Sequence, residues 1–166
     1  MKIIELFDIA VARSKGADDY DNGATPFITN TTMNNGITKY VTPFPEDKVF
    51  DGPAICISGL GFATVHYGQF LPKGNGGDSA TILTPKTEFS ANEILYYAAL
   101  FNCSHNWRFS FGRKASKRRI QDLDLSPVFA DSTLGAGKVL SEFSGHLRTK
   151  MDEYEDSYLG SEFDNS

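Results

Sequence analysis

The sequence is poor in the residues that build most small active sites. Its only cysteines are Cys56 and Cys103, and they form neither a disulfide framework nor a metal-ligand spacing. Cys56 lies in an apolar run and reads as a small core residue. So little cysteine fits a reducing compartment, and a cytoplasmic location is expected. The three histidines, His66, His105 and His146, fall in separate segments with no HxxxH or HExxH grouping. Serines are plentiful, yet no GxSxG elbow occurs. Acids gather in loops and in the tail, not as a pair framed by apolar strands. No nucleophile, base and orienting group can be assembled, so a non-catalytic binding module is expected, with no cofactor and no metal. Long apolar runs are also absent: AICISGLGFATV, residues 54–65, is too short and too broken by glycine to span a bilayer. The first residues, MKIIELFDIAVARSKG, carry acids inside their apolar part, which argues against a secretory signal. No internal repeat is visible.

What is present is an ordinary globular composition, 40% hydrophobic and 22% charged, with thirteen phenylalanines among 166 residues. That mass suits one domain with a real core. Residues 2–11 read as a strand or short lead-in segment that turns Ile3, Leu6, Phe7 and Ile9 inward. Residues 12–26 read as a loop, with a short strand beginning at Pro26. Asn35-Gly36 between apolar flanks signals a tight turn. Beyond it, Ile37, Lys39 and Val41 alternate with Thr38 and Tyr40. Residues 54–70 read as strand, Gly-Leu-Gly turn, strand, and residues 78–84 as a further strand ending at Pro85. The glycine-rich loop between them lacks the GxxxxGK[ST] spacing and a following helix, so it is not a nucleotide loop. Ser90 and Glu93 stand at the positions of a capping box. The helix they announce places Ile94, Leu95, Ala98 and Phe101 on one face.

Residues 101–125 are the centre of the functional reading. They hold the only tryptophan and six of the sixteen basic residues: Arg108, Arg113, Lys114, Lys117, Arg118 and Arg119. Trp107, Phe109 and Phe111 alternate with Arg108 and Ser110, which predicts a half-buried strand with Trp107 and Phe109 in the core. Gly112 then permits a turn, and Ser116 can cap a short basic helix. A local basic patch on a chain of formal net charge −5 is one signature of a nucleic-acid contact surface. The plain alternative is a solvated basic loop whose arginines pair with nearby acids. Further on, Val139, Phe143, Leu147, Met151, Tyr154 and Tyr158 recur at spacings of three and four, predicting an amphipathic helix. It could pack on its own domain or pair with a partner helix, including that of a second copy of this chain. From Asp152 onward six acids occur without a base, which reads as a solvated tail. The expected layout is a domain over 1–130, a helical segment over 131–159 and a tail over 160–166.

Three blocks, taken in order, resemble the target-recognition domain of specificity subunits from type I restriction–modification systems and of related type II modification enzymes. The first is Thr25-Pro26-Phe27-Ile28 with Asn34-Asn35-Gly36-Ile37 and Tyr40-Val41. The second runs from Ile55 through Gly59-Leu60-Gly61 to Phe70, then Ala80 to Lys86. The third is Trp107 to Lys114 followed by Arg119 to Pro127. The resemblance covers about residues 1–130. It implies an α+β fold with a twisted, mainly antiparallel sheet and few helices. It also implies recognition of a short double-stranded DNA sequence, with methylation of adenine or cleavage left to partner subunits. Family members usually carry two such domains separated by long helices, whereas this chain holds one. A half-subunit that dimerises through its C-terminal helix, an orphan domain and a phage-borne relative all remain open.

Two sets of contacts are expected. Arg113, Lys114, Lys117, Arg118 and Lys73 would neutralise phosphates, giving salt-dependent affinity. Base edges would be read by Asn34, Asn35, Lys39, Tyr40 and His66: Asn suits adenine, and Arg113 or Lys39 suits guanine. The alternative for Asn35 is a role in its turn, and for Tyr40 and His66 it is packing. The competing reading, favoured by the acidic sequence pI of about 5.1, is a non-catalytic protein-interaction module working through the C-terminal helix.

Overall fold

In the computed structural model, residues 1–126 apart from Phe111, together with residues 144–146, 148, 149 and 152, are described. The chain divides into two compact units, Met1–Val128 and Phe129–Ser166. In the second unit the described residues are helical. The seam residues Val139, Phe143, Leu147, Met151, Tyr154 and Tyr158, and the acidic tail over 160–166, lie outside the described residues.

The first unit is α+β. A one-turn helix α1 (Ile3–Leu6) leads into strand β1 (Phe7–Val11). Strands β2 (Asn22–Ile28), β3 (Ile37–Val41), β4 (Phe50–Asp51), β5 (Ala54–Ile57), β6 (Ala63–His66), β7 (Gln69–Pro72) and β8 (Thr81–Pro85) follow. Then come the long helix α2 (Ala91–His105) and the short helix α3 (Lys117–Ile120). The strands form two four-stranded sheets, β1-β8-β5-β6 and β3-β2-β7-β4. All neighbours are antiparallel except β2 and β7.

Period-two alternation places the core in layers. On β2, Ile28 faces the first sheet in a cluster with Ala54, Cys56, Phe70 and Ile82. Its neighbour Phe27 faces away, packing with Tyr20, Val41 and Leu71. On β5, Ala54 and Cys56 belong to the inter-sheet cluster, while Ile55 and Ile57 are fully buried on the opposite face, where α2 lies across β5 and β6. Burial pushes the Cys56 thiol up to about 12, so it stays protonated, as a core cysteine should. The capping box is formed: the Ser90 N–H donates to Glu93 at 2.8 Å, and the Glu93 N–H to Ser90 Oγ at 3.3 Å.

β6 is an edge of its sheet, and side-chain amides close it. Asn102 of α2 accepts from the Ala63 N–H at 2.7 Å and donates to the Ala63 carbonyl at 2.9 Å. Asn35 donates to the Val65 carbonyl at 2.8 Å. Asn106 donates to the Gly61 carbonyl at 2.7 Å. An edge strand otherwise offers unpaired backbone groups to any passing chain; here Asn102 and Asn35 answer them on β6, and Asn106 does so in the turn just before it.

Several sequence expectations are corrected. β2 begins at Asn22, ahead of Pro26. Leu95 is exposed; the buried face of α2 carries Ile94, Tyr96, Ala98, Leu100 and Phe101. Ile9 is half-buried, unlike Ile3, Leu6 and Phe7. The turn before β3 is wider than a two-residue hairpin: Asn34, Asn35 and Gly36 all have positive φ, at 48°, 52° and 79°. Residues 106–109 form a 3-10 turn that prolongs α2, not a strand, so Phe109 is buried while Trp107 is 63% exposed. The cause is tertiary. Asn106 grips Gly61, and the Phe109 ring stacks on Phe101 at 6.3 Å and 9°. Gly61 makes this approach feasible: its φ is +83°, and a Cβ there would sit 2.5 Å from the Phe109 ring.

Candidate nucleic-acid interface

The segment after α2 is fixed by a chain of hydrogen bonds. The Trp107 indole N–H donates to the Ser104 carbonyl at 2.9 Å. His105 Nε2 lies 2.7 Å from the Asp124 carbonyl, so it carries the proton, and Nδ1 is left to accept from Arg108 Nε at 3.2 Å. Arg108 is thereby held with its guanidinium 4.7 Å from the centre of the Trp107 ring. Gly112 reverses the chain at a φ of 65°. The Ala115 N–H then docks on the Gly59 carbonyl at 2.9 Å, and α3 seats Ile120 in the core. The basic residues between these anchors are left outside: Arg113, Lys114, Lys117, Arg118 and Arg119 are all exposed.

These cations have different partners. Lys114 Nζ lies 2.8 Å from Asp78 Oδ1, and Lys73 Nζ lies 3.8 Å from Asp78 Oδ2. Asp78 is brought there by a close approach of loops: a Cβ on Gly59 would meet the Asp78 backbone at 2.9 Å. The hydrogen bond from Lys114 holds the Asp78 carboxyl below its ordinary range, so it stays anionic. Lys117 donates to the Ile9 carbonyl at 2.9 Å, and Arg119 to the Lys114 carbonyl at 2.8 Å. Among the described residues, the ion pairs involve lysines and the terminal ammonium, and no arginine is bridged to a carboxylate. The reading in which the arginines pair with nearby acids therefore fails for the described part of the patch.

Two hollows meet at Arg113. One, of about 580 Å³, is lined by Arg113, Ser116, Arg118 and Arg119. The other, of about 440 Å³, is lined by Trp107, Arg108, Ser110 and Arg113. A third cleft of about 550 Å³ includes Asn30, Lys73, Asn75 and Asp78, and Asp78 joins it to Lys114. Asp78 thus links Lys73 to Lys114, and Arg113, next in sequence to Lys114, lines one hollow with Arg118. Lys117 reaches the other way, to β1.

The residues expected to read bases are not gathered in one place. Asn34 is exposed, and its amide donates to the Ile37 carbonyl at 3.3 Å. The Asn35 amide is committed to the β6 edge. Lys39 lies on the inward face of β3, where its ammonium donates to the Ala17 and Tyr20 carbonyls at 2.7 and 2.9 Å. Tyr40 is 51% exposed. His66 is only 6% exposed, stacked on Phe70 at 4.6 Å, with Nε2 2.8 Å from Thr64 Oγ1. Burial pulls its pKa down to about 4. It is a neutral core residue with no edge free for a base. Sequence reasoning missed Asp78, Asn102 and the exposed Trp107–Arg108 pair. Only Asn102 left a readable sign, an amide spaced four residues from Asn106 on one face of a helix.

The described residues thus form an α+β unit of two sheets with the long helix α2 and, among them, an arginine surface with no carboxylate bridge. Residues 1–126 match the type I restriction modification DNA specificity domain, and the chain belongs to that family. The fold is similar to two solved structures. One is a type I restriction–modification S subunit from M. genitalium: 14% identity, TM-score 0.53, covering 74% of this chain and 32% of that one. The other is the HsdS subunit from Thermoanaerobacter tengcongensis: 18% identity, TM-score 0.54, covering 74% of this chain and 31% of that one. The chain spans about a third of the length of those subunits. No curated protein matches it in sequence. No helix among the described residues is long and apolar enough to cross a membrane.

Proposed function

We propose that this chain recognises a short sequence of double-stranded DNA as a single target-recognition unit, and that it directs a partner adenine methyltransferase to that sequence. The observation that supports this most is the exposed arginine surface around Arg113 and Arg118, unbridged by any carboxylate among the described residues, on a chain of formal net charge −5. An acidic protein that leaves guanidinium groups uncompensated has local charge to offer a polyanion. Arg113 and Arg118 contact phosphates, with Lys114 and Lys73 recruited when Asp78 releases them and Lys117 at the margin. Base readout falls to Asn34, whose Oδ1 makes no hydrogen bond among the described residues, and to Tyr40. Asn35 and Lys39 serve the backbone, and His66 is left out of the set because it is buried. Assembly with a methyltransferase subunit, and pairing of two copies through residues 139–158, belong to the same proposal.

The test is a titration of a labelled duplex at several salt concentrations, comparing the native chain with an Arg113→Ala/Arg118→Ala double variant. Each lost phosphate contact lowers the salt slope by about 0.9, so a fall of nearly two is expected. An unchanged slope in a folded double variant would remove this surface from the interface.

A further inference from the structure

Trp107, 63% exposed, is the most exposed of the large aromatic side chains among the described residues. Its Nε1–H is already bound to the Ser104 carbonyl, so the ring has no polar group left for a partner. What remains is the π face and the edge. Arg108 backs the ring at 4.7 Å and is itself fixed by His105, which in turn is fixed by Asp124. The ring is therefore held in place before any partner arrives. It borders the hollow of about 440 Å³ that it shares with Arg108, Ser110 and Arg113. Arg113 also lines the adjoining hollow with Arg118 and Arg119. A flat, pre-set apolar platform ringed by cations suits a ligand that combines a flat π system with anions a few ångströms away. A nucleotide base on its sugar-phosphate backbone has that form.

We infer that Trp107 stacks on a base of the bound DNA, with Arg108 behind the ring and Arg113 on the adjacent phosphate. The inference rests on the DNA-binding reading above and deepens it. In an intact duplex, base faces are covered by their neighbours, so contact with Trp107 requires one base to leave the stack or a base step to open. The chain accordingly binds deformed DNA. It favours a duplex in which unstacking has already occurred, because that cost is then met by the DNA.

The probes are a labelled duplex of mixed sequence and the same duplex carrying one extrahelical adenine. Overall binding is followed by anisotropy of the label. Because Trp107 is the only tryptophan, intrinsic fluorescence reports on this ring alone. Expected results are quenching of that fluorescence on binding and tighter binding of the bulged duplex. Trp107→Ala should bind the bulged duplex roughly tenfold more weakly, about 1.4 kcal/mol at the tenfold conversion, within the range of base–aromatic stacking. Its salt slope should be unchanged, and Trp107→Phe should restore most of the loss. With the ring this exposed, Trp107→Ala folds normally, which circular dichroism checks. Binding by anisotropy with neither quenching nor a preference for the bulge would overturn the stacking inference and leave the DNA reading standing. Absence of binding to either probe at low salt would overturn both. Quenching by an acidic polypeptide but not by DNA would assign the platform to a protein partner instead.

Discussion

Asp78 holds the two lysines of the surface, and removing its charge gives a prediction whose sign runs against intuition. In Asp78→Asn, Lys114 loses a partner at 2.8 Å and Lys73 one at 3.8 Å. Both pairs are substantially exposed, with side-chain accessibilities of 49% and 37% for Lys114 and Asp78. Exposed pairs of this kind contribute about 0–1 kcal/mol to folding, so stability should hardly change. DNA affinity should rise. If both freed ammonium groups reach phosphates, the salt slope steepens by about 0.9 for each, close to 1.8 in total. At about 0.1 M salt that scaling corresponds to a gain of roughly eightfold per added contact. The assay is anisotropy of a labelled duplex over a salt series, with a urea unfolding curve as the folding control. A folded Asp78→Asn protein with native slope and affinity would show that Lys73 and Lys114 do not face the DNA. The band from the Lys73 cleft to Arg113 would then no longer describe the interface.

Three further predictions concern the scaffold. Asn102→Ala strips the β6 edge of two hydrogen bonds and leaves part-buried backbone groups at Ala63 unanswered; a loss of about 2–4 kcal/mol is expected in urea unfolding, and a loss below about 0.5 kcal/mol would contradict the clamp. Gly61→Ala imposes a side chain at a φ of +83° with its Cβ 2.5 Å from the Phe109 ring; it should cost about 2–4 kcal/mol and alter Trp107 fluorescence by displacing the turn that carries it. Ser90→Ala should cost about 1 kcal/mol at neutral pH. The Glu93 carboxyl is held below its ordinary range by hydrogen bonds from Ser90, so the capping box contributes above the usual carboxylate pKa and fades as pH falls through the depressed value. The difference between native and variant melting temperatures should therefore shrink on acidification, and a constant difference would rule out the ionised Glu93 as part of the cap.

What was legible in the sequence was local. The capping box at Ser90 and Glu93 and the alternation over β3 follow from short-range backbone chemistry and are formed; a turn at Asn35-Gly36 is formed as well, but wider than the tight one its dipeptide signals. The face shared by Ile37, Lys39 and Val41 turns inward, and the Lys39 ammonium on it is satisfied by two carbonyls. Trp107, Phe109 and Phe111 misled because a period of two over five residues is a weak signal against tertiary contacts. Here the Asn106–Gly61 bond and the Phe101–Phe109 stack keep the chain helical and turn the tryptophan outward. The lysine partners were illegible for a related reason. Asp78 meets Lys114 through a loop contact across the fold, which no spacing rule encodes. His66 shows the limit of reading chemistry from residue type, since its burial depends on Phe70 and Thr64 beside it in space.

The central claim, that this domain selects a DNA sequence, is tested most directly by incubating the purified chain with a randomised duplex pool at two salt concentrations and sequencing what is retained. The account predicts an enriched short motif, with retention that falls as salt rises in the manner of several phosphate contacts. Retention without an enriched motif, or no retention at the lower salt concentration, would contradict it.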